Sequence, residues 1–237
     1  MSSFSDPAES ARPRLRVVQC WDDGVSDDIR LCEILRRYGA MASFNLCAGT
    51  HRDQRFCGWR YRDEHEVWRL SWDELPAVYE GFTIANHSLT HPHPRALLAQ
   101  AWQREVKDNR KRLQDHFGEP VYGFAYPFGD HDASTMDGVR AAGHRYARTV
   151  QNATPCFPPE DPMAFHPDCH FLAGDFWDRY DRAKDTCEVF YFWGHSYELT
   201  EEAMWTEFES KIARISADSD AAWAELPELF APSGDGN

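Results

Sequence analysis

The sequence predicts a single α/β domain in which parallel strands alternate with helices, wound by right-handed crossovers into a sheet or barrel. Three observations point there. Short apolar runs alternate with amphipathic stretches from Leu15 onward. Each polar motif of note falls directly after such a run, where α/β barrels place their active sites. No internal repeat or long linker divides the 237 residues, a length that one domain can fill.

Leu15 to Cys20 reads as the first strand and ends at the acid pair Asp22-Asp23. Asp27 and Asp28 open an amphipathic helix through Ile29, Leu31, Ile34 and Leu35, which Tyr38-Gly39 stops. Residues 42–47 form a second buried strand. Residues 48–69, with His51, Trp59, Tyr61, His65 and Trp68 but little period, read as an excursion over one barrel face. Ser71-Trp72-Asp73-Glu74 is a capping-box signature for a helix to Glu80. The third strand, 82–85, runs into Asn86-His87-Ser88-Leu89-Thr90-His91. A polar helix over 95–117, a strand over 121–125, a helix near 133–142 and a strand over 144–150 follow. Prolines 155, 158, 159, 162 and 167 make 151–170 an irregular loop. A helix over 175–186, a strand over 188–193, a helix over 200–212 and a further helix near 221–226 complete the pattern. The expected boundaries are a disordered polar leader at 1–14, the domain at 15–228 and a flexible tail at 229–237.

Composition narrows the function. At 42% hydrophobic and 14% aromatic the chain can bury a sizeable core, and nine Trp exceed what packing requires, so some should line a cleft. A formal net charge of −14 argues against nucleic-acid or anionic-membrane partners. No apolar run approaches the roughly 18 residues of a membrane span, and the start lacks a signal-peptide core. Seven scattered Cys without a Cys-x-x-Cys pair read as reduced thiols. A cytoplasmic setting is the expectation.

The chemistry sits in the acid pair and the His-x-x-x-His. Two imidazoles and one carboxylate suit Zn²⁺, Co²⁺, Ni²⁺ or Fe²⁺ and leave open coordination positions. Neighbouring strand residues point opposite ways, so one Asp can bind metal while the other stays free as a general base. The two His share a face if the segment turns helically after its strand. Either motif alone is an ordinary feature, a helix-start signal or a surface face. Each following its own strand, with His195 after a third, they form a candidate metal site.

These residues resemble the polysaccharide deacetylases of carbohydrate esterase family 4, the NodB-homology domain. Trp21-Asp22-Asp23-Gly24 looks like its first motif, Thr-Phe-Asp-Asp-Gly, and His87 to His91 matches its second, His-Ser/Thr-x-x-His. Phe124-Ala125-Tyr126-Pro127-Phe128-Gly129 looks like the third, Phe-Arg-x-Pro-Tyr-Gly, and Trp193-Gly194-His195 resembles the fifth, Leu-x-His. The resemblance implies a distorted (β/α) barrel with fewer than eight regular strands. It implies Asp22 as general base, Asp23, His87 and His91 as ligands to a divalent ion (Zn²⁺ foremost, with Co²⁺, Ni²⁺ or Fe²⁺ as alternatives), and His195 as general acid. The Phe128 backbone N–H would stabilise the oxyanion. Trp21, Tyr126, Trp193 and His170 are expected to line the substrate.

The implied activity is removal of an acetyl or other N-acyl group from a sugar or small carbohydrate-like metabolite, so the partner is a small molecule or oligosaccharide. Alternatives are an allantoinase- or imidase-like hydrolase of a linear or cyclic amide, and a non-catalytic carbohydrate-binding protein. Oligomeric state has no signature. Two departures stand out. The third-motif Arg, which orients the catalytic Asp in the family, is Ala125 here, and Arg148 on the next strand is the candidate substitute. The fourth motif, Asp-x-x-Asp-Trp, has no clean counterpart; Phe165 to His170 occupies its region, with Asp168 or His170 as candidate partners of the acid.

Overall fold

The computed structural model describes residues 15–231. The expected leader, and the expected tail from 232, lie outside the described residues. In chain order come β1 (Leu15–Asp22), α1 (Asp28–Arg37), β2 (Ser43–Leu46), β3 (Phe56–Tyr61), β4 (His65–Arg69) and α2 (Leu75–Val78). Then follow β5 (Thr83–Asn86), α3 (Ala99–Phe117), β6 (Gly123–Ala125), α4 (Ala133–Ala141), β7 (Tyr146–Arg148) and β8 (Cys169–His170). The last elements are α5 (Phe176–Thr186), β9 (Val189–Gly194), α6 (Glu202–Ser216), β10 (Ala221–Trp223) and α7 (Leu226–Leu229).

The main sheet is parallel and runs β7-β6-β5-β2-β1-β9-β8, with β10 beside the start of β1. It curls into the distorted barrel, with seven strands on the barrel path. Residues 165–170 bridge its open side: Phe165 N–H donates to Ala147 O at 2.8 Å, and Asp168 N–H donates to Tyr191 O at 2.7 Å. Strand alternation sorts the core into two layers. Val18, Cys20, Tyr146, Phe165, Val189 and Tyr191 pack together inside the barrel. Val17, Trp21, Phe190 and Phe192 belong to the layer beneath the helices, with Phe176 of α5 and Phe208 of α6.

Helix α3 buries Trp102, Val106, Asn109 and Leu113, the spacing of one helical stripe. The polar member of that stripe braces the site. The Asn109 amide donates to Leu46 O at 2.8 Å and to Asn86 Oδ1 at 2.6 Å, and its oxygen accepts from Ala48 N–H at 2.7 Å. The ends of β2 and β5 are thereby tied together.

Three expectations change. Residues 48–69 do have a period: β3 and β4 form an antiparallel hairpin off the barrel. Arg62 and Asp63 both take positive φ at its turn, the geometry of a tight primed turn. The alternation was masked because both faces carry aromatics; Val67 and Arg69 are buried while Trp68, between them, is 40% exposed. The expected helix at 221–226 is instead strand β10 followed by α7. The start of β1 extends past β2 and has free backbone groups, which Leu15 N–H to Asp220 O and Ala224 N–H to Val17 O satisfy. Finally, the expected tail begins too early, because α7 reaches Leu229 and the Phe230 ring stacks on Tyr146 at 4.9 Å.

Candidate active site

Asp22 ends β1 and points into the barrel mouth. Its Oδ1 accepts from the Asn45 amide at 2.7 Å and its Oδ2 accepts from Arg148 Nη2 at 2.5 Å. The same Oδ2 stands 3.8 Å from His87 Nε2 and 3.8 Å from His195 Nε2. Burial disfavours its charge, but Arg148, His87 and His195, with the Asn45 amide, outweigh burial and hold the carboxyl well below the usual range. Arg148 is registered directly against Ala125 on the adjacent parallel strand. A guanidinium thus reaches Asp22 from one strand over. The Arg148 side chain is 1% exposed and its Cζ lies 4.5 Å over the Trp193 ring.

Asp23, His87 and His91 converge, with one ligand atom from each within 4.8 Å of the others. The turn between the histidines is not helical. Ser88 and His91 take positive φ of 65° and 60°, and Ser88 Oγ accepts the His91 N–H at 3.1 Å. This tight turn brings the two rings to 4.7 Å at 69°. Together with Asp23 (φ 89°) and Phe128 (φ 59°), these are left-handed residues clustered around one site, where strained backbone commonly collects.

The hydrogen bonds test whether this donor set fits a divalent ion. His87 Nδ1–H donates to Ala125 O at 2.7 Å, which fixes the tautomer and leaves Nε2 as a free lone pair. Burial lowers the pKa of His87, and pushes His91 down to about 4, so both rings are neutral at neutral pH. Burial opposes charge on Asp23 too, yet Arg69 and the histidines keep its pKa below the ordinary value. One carboxylate and two neutral imidazoles meeting at a point fit a borderline ion.

His195 follows β9. Its Nδ1–H donates to Glu198 at 3.3 Å, and its backbone N–H donates to the same carboxylate at 3.1 Å. Burial opposes charge on the ring, but Glu198, Asp22 and Asp23 outweigh it and raise the pKa above its ordinary value. Glu198 was missed from sequence. It lies three residues beyond His195, a spacing that a short turn folds back. Burial works against its ionisation, but His170 and His195 bring its pKa down to about 2. His170 Nδ1 accepts the Leu172 N–H at 3.3 Å, so Nε2 carries the proton and donates to Glu198 at 2.9 Å. His170 therefore reaches His195 through Glu198. Asp168 does not: it accepts from Tyr191 N–H and Thr154 Oγ–H at 2.8 Å each.

The expected lining residues divide. Trp193 is half-buried beside Arg148, with its ring 5.5 Å from His195. Trp21 is 0% exposed and packs on Phe171 at 4.9 Å and Phe208 at 5.3 Å, in the layer under the helices. Tyr126 is 1% exposed, and its O–H donates to Met163 O at 3.0 Å. Both leave the candidate lining, because alternation turns them away from Asp22 and Ala125. Phe128 exposes 56% of its surface, stacks on His93 at 3.9 Å and meets His91 edge-on at 4.6 Å.

Comparison with known proteins gives a family and a fold. The profile of the family described as polysaccharide deacetylase matches residues 9–147. A sequence search of curated proteins found no match. Among solved structures, the Streptococcus pyogenes deacetylase PplD in complex with acetate is 16% identical, with TM-score 0.50, 62% of this chain covered and 61% of that one. The chain thus spans under two thirds of that protein. The family 4 carbohydrate esterase from Streptomyces lividans in complex with acetate is 16% identical over 91% of this chain and 95% of its own, with TM-score 0.58. The peptidoglycan deacetylase PdaC from Bacillus subtilis is 12% identical over 94% and 92%, with TM-score 0.57. Such identities speak for the fold alone. The family match covers the acid pair, the histidine pair and the Ala125 stretch, and leaves Arg148, His195 and Glu198 beyond its end. By that match over more than half its length, and by the barrel that carries it, the chain belongs to the polysaccharide deacetylase family.

Proposed function

We propose that the protein is a metal-dependent hydrolase that removes an acetyl group from the amide nitrogen of a sugar or small carbohydrate-like metabolite. The observation that carries this reading is the division of the acid pair. Asp22 is held by Arg148 and Asn45, while Asp23 converges with His87 and His91. Binding alone needs no ionised carboxylate kept free beside a ligand set.

A divalent ion held by Asp23, His87 and His91 would supply Lewis-acid polarisation of the amide carbonyl. The remaining roles fall to side chains and backbone. Asp22 stays ionised beside Arg148 and takes the proton of the attacking water. The Phe128 N–H donates to the developing oxyanion. An amine leaves poorly unless protonated, and His195, whose pKa Glu198 helps to raise, delivers that proton from Nε2. Trp193 would stand beside the substrate on the Arg148 side. No helix among the described residues is long and apolar enough to cross a membrane.

Purified protein should carry about one equivalent of metal and release acetate from N-acetylglucosamine or its oligomers. His87→Ala and His91→Ala should lose both metal and turnover. Ring opening of a cyclic ureide without acetate release would favour the amide-hydrolase alternative. Metal content unchanged in both variants would refute the ligand assignment.

A further inference from the structure

One cation reaches the ligand loop from outside the family motifs. Arg69 ends strand β4 of the inserted hairpin and is 7% exposed. Its Nη1 donates to the main-chain oxygen of Asp23, and its Nη2 lies 3.5 Å from Asp23 Oδ1. The hairpin fixes this guanidinium in three ways. Its Cζ sits 4.8 Å over the Trp59 ring. Its stem runs past Gly58, where a Cβ would lie 3.3 Å from Arg69 Cγ. The strand itself is stitched to the loop, Ser26 N–H donating to Trp68 O at 2.8 Å and Leu70 N–H to Gly24 O at 3.2 Å. Asp23 needs such support, because its φ of 89° is a left-handed conformation that non-glycine residues adopt only when the surrounding structure holds them there.

We propose that Arg69 is a positioning residue for Asp23, holding its main-chain oxygen and the Oδ1 side of its carboxylate so that a single oxygen is presented to a metal ion. Oδ2 is the oxygen left free, on the side of His195 Nε2 at 4.0 Å. This rests on the metal-dependent reading above. A planar fork is what the task needs, since one group must reach a carbonyl and a carboxylate at once; a lysine ammonium is a point charge and cannot span both. Two effects compete. Repulsion between the guanidinium and an incoming cation weakens binding, whereas a pre-set Asp23 strengthens it. Removing groups that orient metal ligands typically lowers affinity 10–100-fold, so orientation is the larger effect.

The test is metal affinity, measured on the full chain by competition with a chromophoric chelator for Zn²⁺ and Co²⁺, together with the visible spectrum of the Co²⁺ form. Arg69→Gln should raise Kd about 10–100-fold and alter the Co²⁺ bands, with Arg69→Lys in between. Unchanged or tighter binding with an unchanged spectrum in Arg69→Gln overturns the proposal. Circular dichroism checks folding; if Arg69→Gln does not fold, Arg69→Lys is judged by the same criteria. A wild type that binds no metal, or a His87→Ala variant that binds as wild type, refutes the metal-dependent reading instead.

Discussion

Arg148→Met isolates what the relocated guanidinium does for Asp22. The ion pair is 2.5 Å long, with side-chain exposures of 1% and 3%, so water replaces little of what is lost. Unit charges about 4 Å apart attract by about 4 kcal/mol at an effective dielectric near 20. Breaking a buried pair by deleting one partner costs about 3–5 kcal/mol. The Asn45 amide remains as donor to Asp22, which places the expected loss at about 3–4 kcal/mol at pH 7. The sign follows from linkage. Asp22 has a depressed pKa in the folded protein, so its pair contributes stability above the unfolded carboxylate pKa of about 3.9 and loses it as pH falls through the folded value. In Arg148→Met the largest influence opposing burial is gone and the Asp22 pKa rises. The stability difference between variant and wild type should therefore be largest near pH 7 and shrink toward pH 3. Urea denaturation at several pH values measures it. The acid limb of kcat/KM should move to higher pH while metal content stays constant. Adding Asp22→Asn should restore most of the stability without restoring turnover. A cost below about 1 kcal/mol at pH 7, as for an exposed pair, or a cost independent of pH, would refute the assignment.

Glu198→Gln should leave metal content and KM near wild type but lower kcat about 10–100-fold, less than the roughly 10²–10⁴-fold that a general acid itself contributes, because the His195 ring is still present. Because Glu198 helps raise the His195 pKa, the alkaline limb of kcat should move to lower pH, and a limb that stays in place would remove Glu198 from this role. Chelation should abolish turnover and lower Tm, since an ion at 100 times its Kd adds about 2.7 kcal/mol; Zn²⁺ should restore both, and an unchanged Tm and rate would contradict the ligand set. Trp21→Ala should cost about 3–5 kcal/mol by urea denaturation with KM unchanged in the folded protein, whereas a raised KM would return Trp21 to the cleft.

The sequence carries the metal-ligand candidates because their residue types are uncommon in that spacing and each follows an apolar run. Alternation explains which lining residues were misplaced. Asp22 and Cys20 face the barrel interior, so Trp21 between them must face the helices, and Tyr126 is set against Ala125 in the same way. Trp193 shares the parity of His195 and stands beside it. Arg148 was legible because parallel register sets a strand-end residue beside Ala125. Glu198 and Arg69 were not. One depends on a turn whose geometry is decided by tertiary contacts with His170, the other on a hairpin whose two faces both bear aromatics.

Under the proposed reading, Arg148 and Arg69 together account for how two adjacent carboxylates can hold different roles. Neighbouring acids in a low-dielectric site repel, and the usual outcome is that one takes up a proton. A protonated Asp22 could not accept a proton from water, and a protonated Asp23 would be a poor ligand. Here each carboxylate has its own guanidinium, arriving from opposite parts of the chain: Arg148 from barrel strand β7 to Asp22, Arg69 from hairpin strand β4 to Asp23. In each case that arginine is the leading influence lowering the pKa against burial. Both acids are therefore ionised before any ion binds, and the direction from which each cation approaches decides which oxygens remain available. Under the proposed reading, the labour of the tandem pair is divided by which cation each side chain meets, not by a difference between two chemically identical residues.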